Sequence, residues 1–293
     1  MLYDIGLRIS YQYQAPAAGG RHILYMTPAD LPGQRAITSL LEITPSPDER
    51  SARTDFFGNT LVEVAFRAPH ADIEFKVRSR VERSLAIAGE DDSTLIDGLP
   101  AEIAALRSLA SDSPHHFLAN SPRVRAKPEF RAYALQQIEP QISTTRQVVE
   151  AIGRALDRDM TFDPGSTNVD TPTEEAFARR HGVCQDFTHI MIACLRSIGI
   201  PAGYVSGFLR TLPPPGQPKL EGADAMHAWV RAWCGAKAGW IEYDPTNGMA
   251  ISDQHIVVAY GRDYGDVAPV RGVIRTAGGQ SSSQAVDVTP LPS

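Results

Sequence analysis

Residues 182–201 read GVCQDFTHIMIACLRSIGIP. From Cys184 onward this stretch predicts a helix that Gly199 and Pro201 stop, because glycine takes the left-handed turn that ends helices and proline cannot continue one. Cys184 then stands in the first turn. Free backbone amides and the positive end of the helix dipole stabilise an anion there, lowering a thiol pKa from about 8.5 toward roughly 3.5 to 7.5. Two readings of such a cysteine stand open: a reactive thiolate, or a small buried hydrophobe. Cys194, among Met191, Ile192 and Leu195 in the same helix, reads as core, and Cys234 falls at a turn.

Beyond Pro201 the pattern turns to strands: AGYVSGFLR, a Pro/Gly-rich excursion from Leu212 to Gly222, then MHAWVRAW (226–233) and GWIEYD (239–244). A cysteine nucleophile needs a histidine to exchange protons with it and a carboxylate or amide to orient that imidazole. His227 and Asp244 qualify if the two strands form a hairpin that sets them opposite each other, with its turn between Gly235 and Ala236 in CGAKAG. In that register His227, Trp229, Arg231 and Trp233 share a face with Asp244, Glu242 and Trp240. Ala228, Val230, Ala232, Ile241 and Tyr243 occupy the other face and can pack under the helix. The plainer reading makes His227 a surface histidine and Asp244 a turn former before Pro245.

Upstream, TTRQVVEAIGRAL from Thr144 places Val148, Ile152 and Leu156 on one stripe of a helix. Thr171-Pro172-Thr173-Glu174 is expected to form a capping box that starts another. Residues 1–85 alternate apolar and polar in LRISYQY, AITSLLEITP, TLVEVAF and IEFKVRSRVER. Turns are expected at 16–20, 45–48 and 57–60, where Gly, Pro, Asn and Asp gather. The economical reading is an N-terminal antiparallel β-sandwich over 1–85, a helical connector over 86–140 with short helices at Ala101–Leu109 and Glu129–Ile138, and an α+β core over 141–293. In the tail, TAGGQSSSQ reads as a loop before a last strand at Ala285–Val288.

The 293 residues suit two domains, and 43% hydrophobic with 21% charged residues is an ordinary globular mix. A formal net charge of −6 offers phosphate backbones and anionic lipid no general attraction, so neither nucleic acid nor membrane is an expected partner. The start MLYDIGLRISYQY has no secretory pattern. Three cysteines without CxxC spacing argue against a disulfide framework or structural zinc, and a cytoplasmic location is expected.

Taken together, GVCQDFTH, GIPAGYVSGFLRT, MHAWVRAW and YDPTNG closely resemble the transglutaminase-like core of bacterial proteins, a branch of the papain-like superfamily. HIVVAYGRDYGDVAPVRGVI (255–274) resembles the same family, and residues 1–85 resemble the β-rich region that accompanies it. The resemblance implies a papain-like core in which Cys184 is the nucleophile, His227 the general base and acid, and Asp244 the group that holds the imidazole. It implies amide acyl transfer through a thioester on a peptide or protein substrate, with no cofactor and no metal. The contrary reading is a noncatalytic peptide-binding module, and either version leaves the N-terminal sandwich free to dock a partner.

Weaker expectations attach to neighbours. The Cys184 amide is a natural oxyanion donor, since helix-start amides lack internal partners. Gln185 either faces solvent or braces a neighbour. Asp186 and His189 are either supports behind the reacting groups or a satisfied buried pair. Trp229 is either a wall of the acyl groove or core. Two positions depart from the family pattern, Met226 where a small residue is usual and Phe208 where tyrosine is common, and both bear on substrate choice.

Overall fold

A computed structural model describes residues 1–84, 89–138, 143–211 and 224–292. The chain opens on β1 (Leu2–Leu24), which runs straight through the expected turn at 16–20. The strand bends there instead of reversing. Its pairing register shifts between Gln12 and Ala17 and again between Ala18 and Arg21, as at bulges that re-aim a strand. Gly19 supplies a φ of 64° at the corner.

The strands β2 (Gln34–Thr44), β3 (Glu49–Thr54), β4 (Thr60–Phe66) and β5 (His70–Arg83) follow, all antiparallel to their neighbours. The first half of β1 pairs with β5, which carries β2; the second half pairs with β4, which carries β3. The two leaves face each other, with the rings of His22 and Phe75 5.7 Å apart. In β5 the alternation sends Ile73, Phe75, Val77 and Val81 inward. The expected sandwich is therefore present. β3, Glu-Arg-Ser-Ala-Arg-Thr, was not foreseen, because an edge strand exposed at every position carries no apolar alternation.

The connector holds two short helices, α1 (Leu99–Ala105) and α2 (Pro128–Leu135), with a 3₁₀ turn at Pro114–Phe117 between them. Helix α1 stops short of the expected Leu109 because Leu106 turns extended. The expected boundaries near 85 and 140 fall at 85–88 and 139–142, outside the described residues.

Helix α3 (Thr145–Asp159) begins as expected: the Thr144 hydroxyl accepts the Gln147 amide, and Gln147 Oε1 accepts the Thr144 amide. After the short strand β6 (Thr161–Phe162) comes α4 (Thr173–Arg179), and here the expected capping box is absent. The Thr171 hydroxyl is already taken by the Asn168 amide, and the Glu174 carboxylate pairs with Lys127 at 2.7 Å. Pro172 occupies the cap instead.

The remaining elements are β7 (His181–Gly182), α5 (Cys184–Ser197), β8 (Ala202–Leu209), β9 (Met226–Trp233), β10 (Trp240–Asp244), β11 (Met249–Ala250), β12 (His255–Gly261), α6 (Tyr264–Val267), β13 (Val270–Arg275) and β14 (Gln280–Leu291). A five-stranded sheet has the order β11-β10-β9-β8-β12. Its Ala228, Val230 and Ala232 face pack with Phe187, Ile190, Met191 and Cys194 of α5. On the opposite face Val205, Trp229 and Val257 meet Ala29 and Leu31 of the N-terminal unit. The excursion from Leu212 to Gly222 lies outside the described residues.

The hairpin register and the extent of the C-terminal domain also need correction. In the hairpin, Trp240 pairs with Trp233 and Glu242 with Arg231, which carries Asp244 to the level of Trp229 rather than His227. The loop absorbs all of CGAKAG, closing when the Cys234 amide donates to the Gly239 carbonyl, with Gly235 and Gly239 at φ of 111° and 66°. A slip by an even number of residues leaves each side chain on its expected face. The second correction concerns the domain expected to run to 293. Strands β13 and β14 both pair with β1, from Leu24 with Val270 and from Leu2 with Leu291 through Tyr13 with Gln280. The last strands complete the N-terminal sandwich, because Val286 and Val288 fill its core. Residues QSSSQ belong to β14 and not to a loop.

Candidate active site

Cys184 is the first residue of α5 and is partly buried. The helix start is held by Asp186, whose Oδ2 accepts the Val183 amide at 2.8 Å and the Thr167 hydroxyl at 2.6 Å. Gly182 is required beside it: a Cβ there would lie 2.7 Å from the Asp186 carboxylate. Burial pushes the Asp186 carboxyl up and its two hydrogen bonds pull it back, leaving it raised. Asp186 thus supports the turn that carries the sulfur. His189 is not its partner; its Nε2 accepts the Tyr264 amide at 3.1 Å, and burial lowers its pKa to about 4. Gln185 braces a neighbour, donating to the Val169 carbonyl at 3.2 Å.

His227 lies on β9 with its side chain 10% exposed, and its Nε2 is 2.7 Å from Asp244 Oδ2. Burial alone would lower its pKa. Hydrogen bonds to Asp244 and Cys184, with the charges of both, outweigh burial and raise it to about 10. Since Nε2 is engaged by the carboxylate, Nδ1 is the nitrogen left for the sulfur.

Asp244 is fully buried. Its Oδ1 accepts the Thr246 and Asn247 amides at 2.9 and 3.2 Å, and its Oδ2 accepts from Asn247 Nδ2, His227 and His255 at 2.7, 2.7 and 3.2 Å. Burial pushes this carboxyl up, yet the hydrogen bonds from His227, His255 and Asn247 hold it well below the usual carboxylate range. Asp244 uses its two oxygens differently: one forms the turn, the other meets the imidazole.

Asn247 and His255 escaped the sequence reading. Asn247 sits three residues past Asp244, a spacing typical of turn asparagines, and His255 opens the stretch HIVVAYGRDYGDVAPVRGVI without any role attached to it there. His227, Asp244 and His255 also bring three donor atoms within 4.8 Å, a spacing a metal could use. The donor set is nonetheless organised as hydrogen bonds. His255 Nδ1 accepts the Ser252 amide at 3.1 Å, which leaves its proton on Nε2, aimed at the carboxylate.

Trp229 is not a groove wall. Its side chain is fully buried, its indole N–H donates to Glu242 at 2.6 Å, and it packs with Val205 and Val257. Cys194 and Cys234 are both fully buried, and burial pushes their thiols up, which disfavours thiolate.

Residues 131–245, which hold α5 and the hairpin, match the transglutaminase-like superfamily, and the chain belongs to it. Residues 3–82 match the bacterial transglutaminase-like N-terminal region. Uncharacterized proteins of Mycobacterium tuberculosis and Mycobacterium bovis are 33% identical over 299 residues, covering 98% of this chain and 91% of theirs. One from Mycobacterium leprae is 32% identical over 287 residues, covering 96% of each. The crystal structure of a candidate cysteine protease from Cytophaga hutchinsonii shares the fold, with a TM-score of 0.80 and 22% identity over 100% of this chain and 91% of that one. Fold and family are those of cysteine-based catalysts.

Proposed function

We propose that this protein is a cysteine-nucleophile enzyme that cleaves or transfers the acyl group of an amide in a peptide or protein substrate. The observation that carries the reading is His227, whose Nε2 meets Asp244 Oδ2 at 2.7 Å while Cys184 is its other partner, contacts that push its pKa up. An imidazolium beside the sulfur carries the proton that the leaving nitrogen will need. The sulfur attacks the carbonyl carbon, and the oxyanion draws on the Cys184 amide at the helix start. The C–N bond then breaks, with the His227 proton passing to the leaving nitrogen. The thioester that results is opened by water or by a second amine, whose proton His227 accepts. Asp244 stays ionised throughout and keeps the imidazole turned toward the sulfur.

Two measurements test this. Iodoacetamide near neutral pH is expected to label Cys184 well before Cys194 and Cys234; equal slow labelling would favour a noncatalytic peptide binder. Incubation with a mixture of glutamine-containing peptides and a free amine, read by mass spectrometry, separates the outcomes. Deamidation adds about one dalton, transamidation a larger adduct, and proteolysis gives fragments. Product formation by wild type is expected to vanish in Cys184→Ala, and no product from wild type across the mixture counts against catalysis.

A further inference from the structure

Two imidazoles meet on one carboxylate oxygen. His227 Nε2 and His255 Nε2 lie 2.7 and 3.2 Å from Asp244 Oδ2, and their rings stand 6.2 Å apart. His255 is 1% exposed, too deep to touch a substrate. Its ring is held from two sides and its backbone from a third. The Ser252 amide donates to Nδ1 at 3.1 Å, the Trp229 indole packs edge-on at 5.2 Å, and Arg83 Nε holds the His255 carbonyl at 3.0 Å.

The remaining partners of Asp244 are local. Thr246 and Asn247 donate from the turn that immediately follows it, so they move with it. His255 comes from β12, which the sheet order separates from β10 by β9 and β8. It is therefore the contact that references Oδ2 to a distant part of the molecule.

Resting on the acyl-transfer reading above, we propose that His255 is a positioning residue for that reaction. Its Nε2–H aims Asp244 Oδ2 at His227 Nε2 and thereby keeps His227 Nδ1 turned to Cys184. Without that donor the carboxylate is free to rotate about its Cβ–Cγ bond, and the imidazole loses its alignment with the sulfur. Ground-state binding of substrate does not involve His255, so the effect falls on kcat and not on KM.

The test uses the full chain, with Cys184 alkylation by iodoacetamide and turnover of a glutamine peptide as parallel readouts. His255→Gln sets an amide donor near the place of Nε2, His255→Phe fills the volume with no donor, and His255→Asn carries a donor too short to reach. The Phe and Asn variants are expected to lose about 10- to 100-fold in kcat with KM within about twofold, the scale of a lost hydrogen bond to a charged group. Alkylation of Cys184 is expected to slow in both, and the Gln variant to recover to within about threefold of wild type. Wild-type rates in the Phe and Asn variants would overturn the proposal, as would a Gln variant as slow as the Phe variant, because packing would then be the cause. Should the Phe variant fail to fold, the Gln and Asn pair decides. A wild-type Cys184 that alkylates no faster than Cys194 sinks the acyl-transfer reading and this proposal with it. A reactive wild-type Cys184 whose rate is indifferent to the His255 variants sinks only the proposal.

Discussion

Cys184 is one of the two partners that set the protonation of His227. The hydrogen bond and charge of Cys184 are among the causes that lift His227 to about 10, so Cys184→Ala is expected to bring it down. An NMR titration of the imidazole measures this, and an unchanged value would show that Asp244 alone holds the proton. The same shift has a consequence for stability. Because the folded pKa of His227 exceeds its ordinary 6.5, the stabilisation is whole below that value and is lost as pH climbs through about 10. Asp244 behaves oppositely: its contribution is present above 3.8 and is lost as pH falls through its depressed folded value. Urea midpoints are thus expected to decline from pH 7 toward 10, and less steeply in Cys184→Ala. At this scale the three candidate residues stood out because thiol, imidazole and carboxylate lay in recognisable local runs. His255 was not, since its role comes from a contact 11 residues away in sequence that no local pattern announces.

Helix α3 presses on β10 at one point, where Gly153 meets the ring of Tyr243, the neighbour of Asp244. A Cβ on Gly153 would lie 2.1 Å from Tyr243 Cε1. Helix propensity favours alanine over glycine by about 1 kcal/mol, while overpacking a buried contact costs about 1–3 kcal/mol. The clash involves a buried ring and not a flexible chain end, so it wins. Gly153→Ala is expected to destabilise the protein by up to about 2 kcal/mol in urea unfolding; stabilisation would show that Tyr243 can move aside. Elements with strong periodicity, such as α3 and α5, were readable from spacing. The hairpin register and the start of α4 were not, because a six-residue loop with two positive-φ glycines and a hydroxyl already engaged elsewhere settled them.

Across the molecule, the N-terminal sandwich and the five-stranded sheet are joined by buried polar contacts as well as apolar ones. Arg83, at the end of β5 and 2% exposed, donates to the His255 carbonyl, and Gln34 bonds both the amide and the carbonyl of Val257. Arg83→Met retains much of the aliphatic packing and removes the donor. The expected loss is about 1.5–3 kcal/mol in denaturant unfolding, together with slower Cys184 alkylation. A change under about 0.5 kcal/mol would show that the two units hold β12 without this contact.

The sequence by itself determined the helix that presents Cys184, the strand faces that carry His227 and Asp244, and the alternation that makes a sandwich. These follow from local periodicity, turn chemistry and the kinds of side chain present. Tertiary structure alone decided that β13 and β14 return to β1, that Trp229 is sealed inside the sheet, and that a second histidine reaches the buried carboxylate. Edge pairing, burial and hydrogen-bond satisfaction depend on which segments meet in space, and segments as distant as Leu2 and Leu291 leave no mark on each other's local sequence.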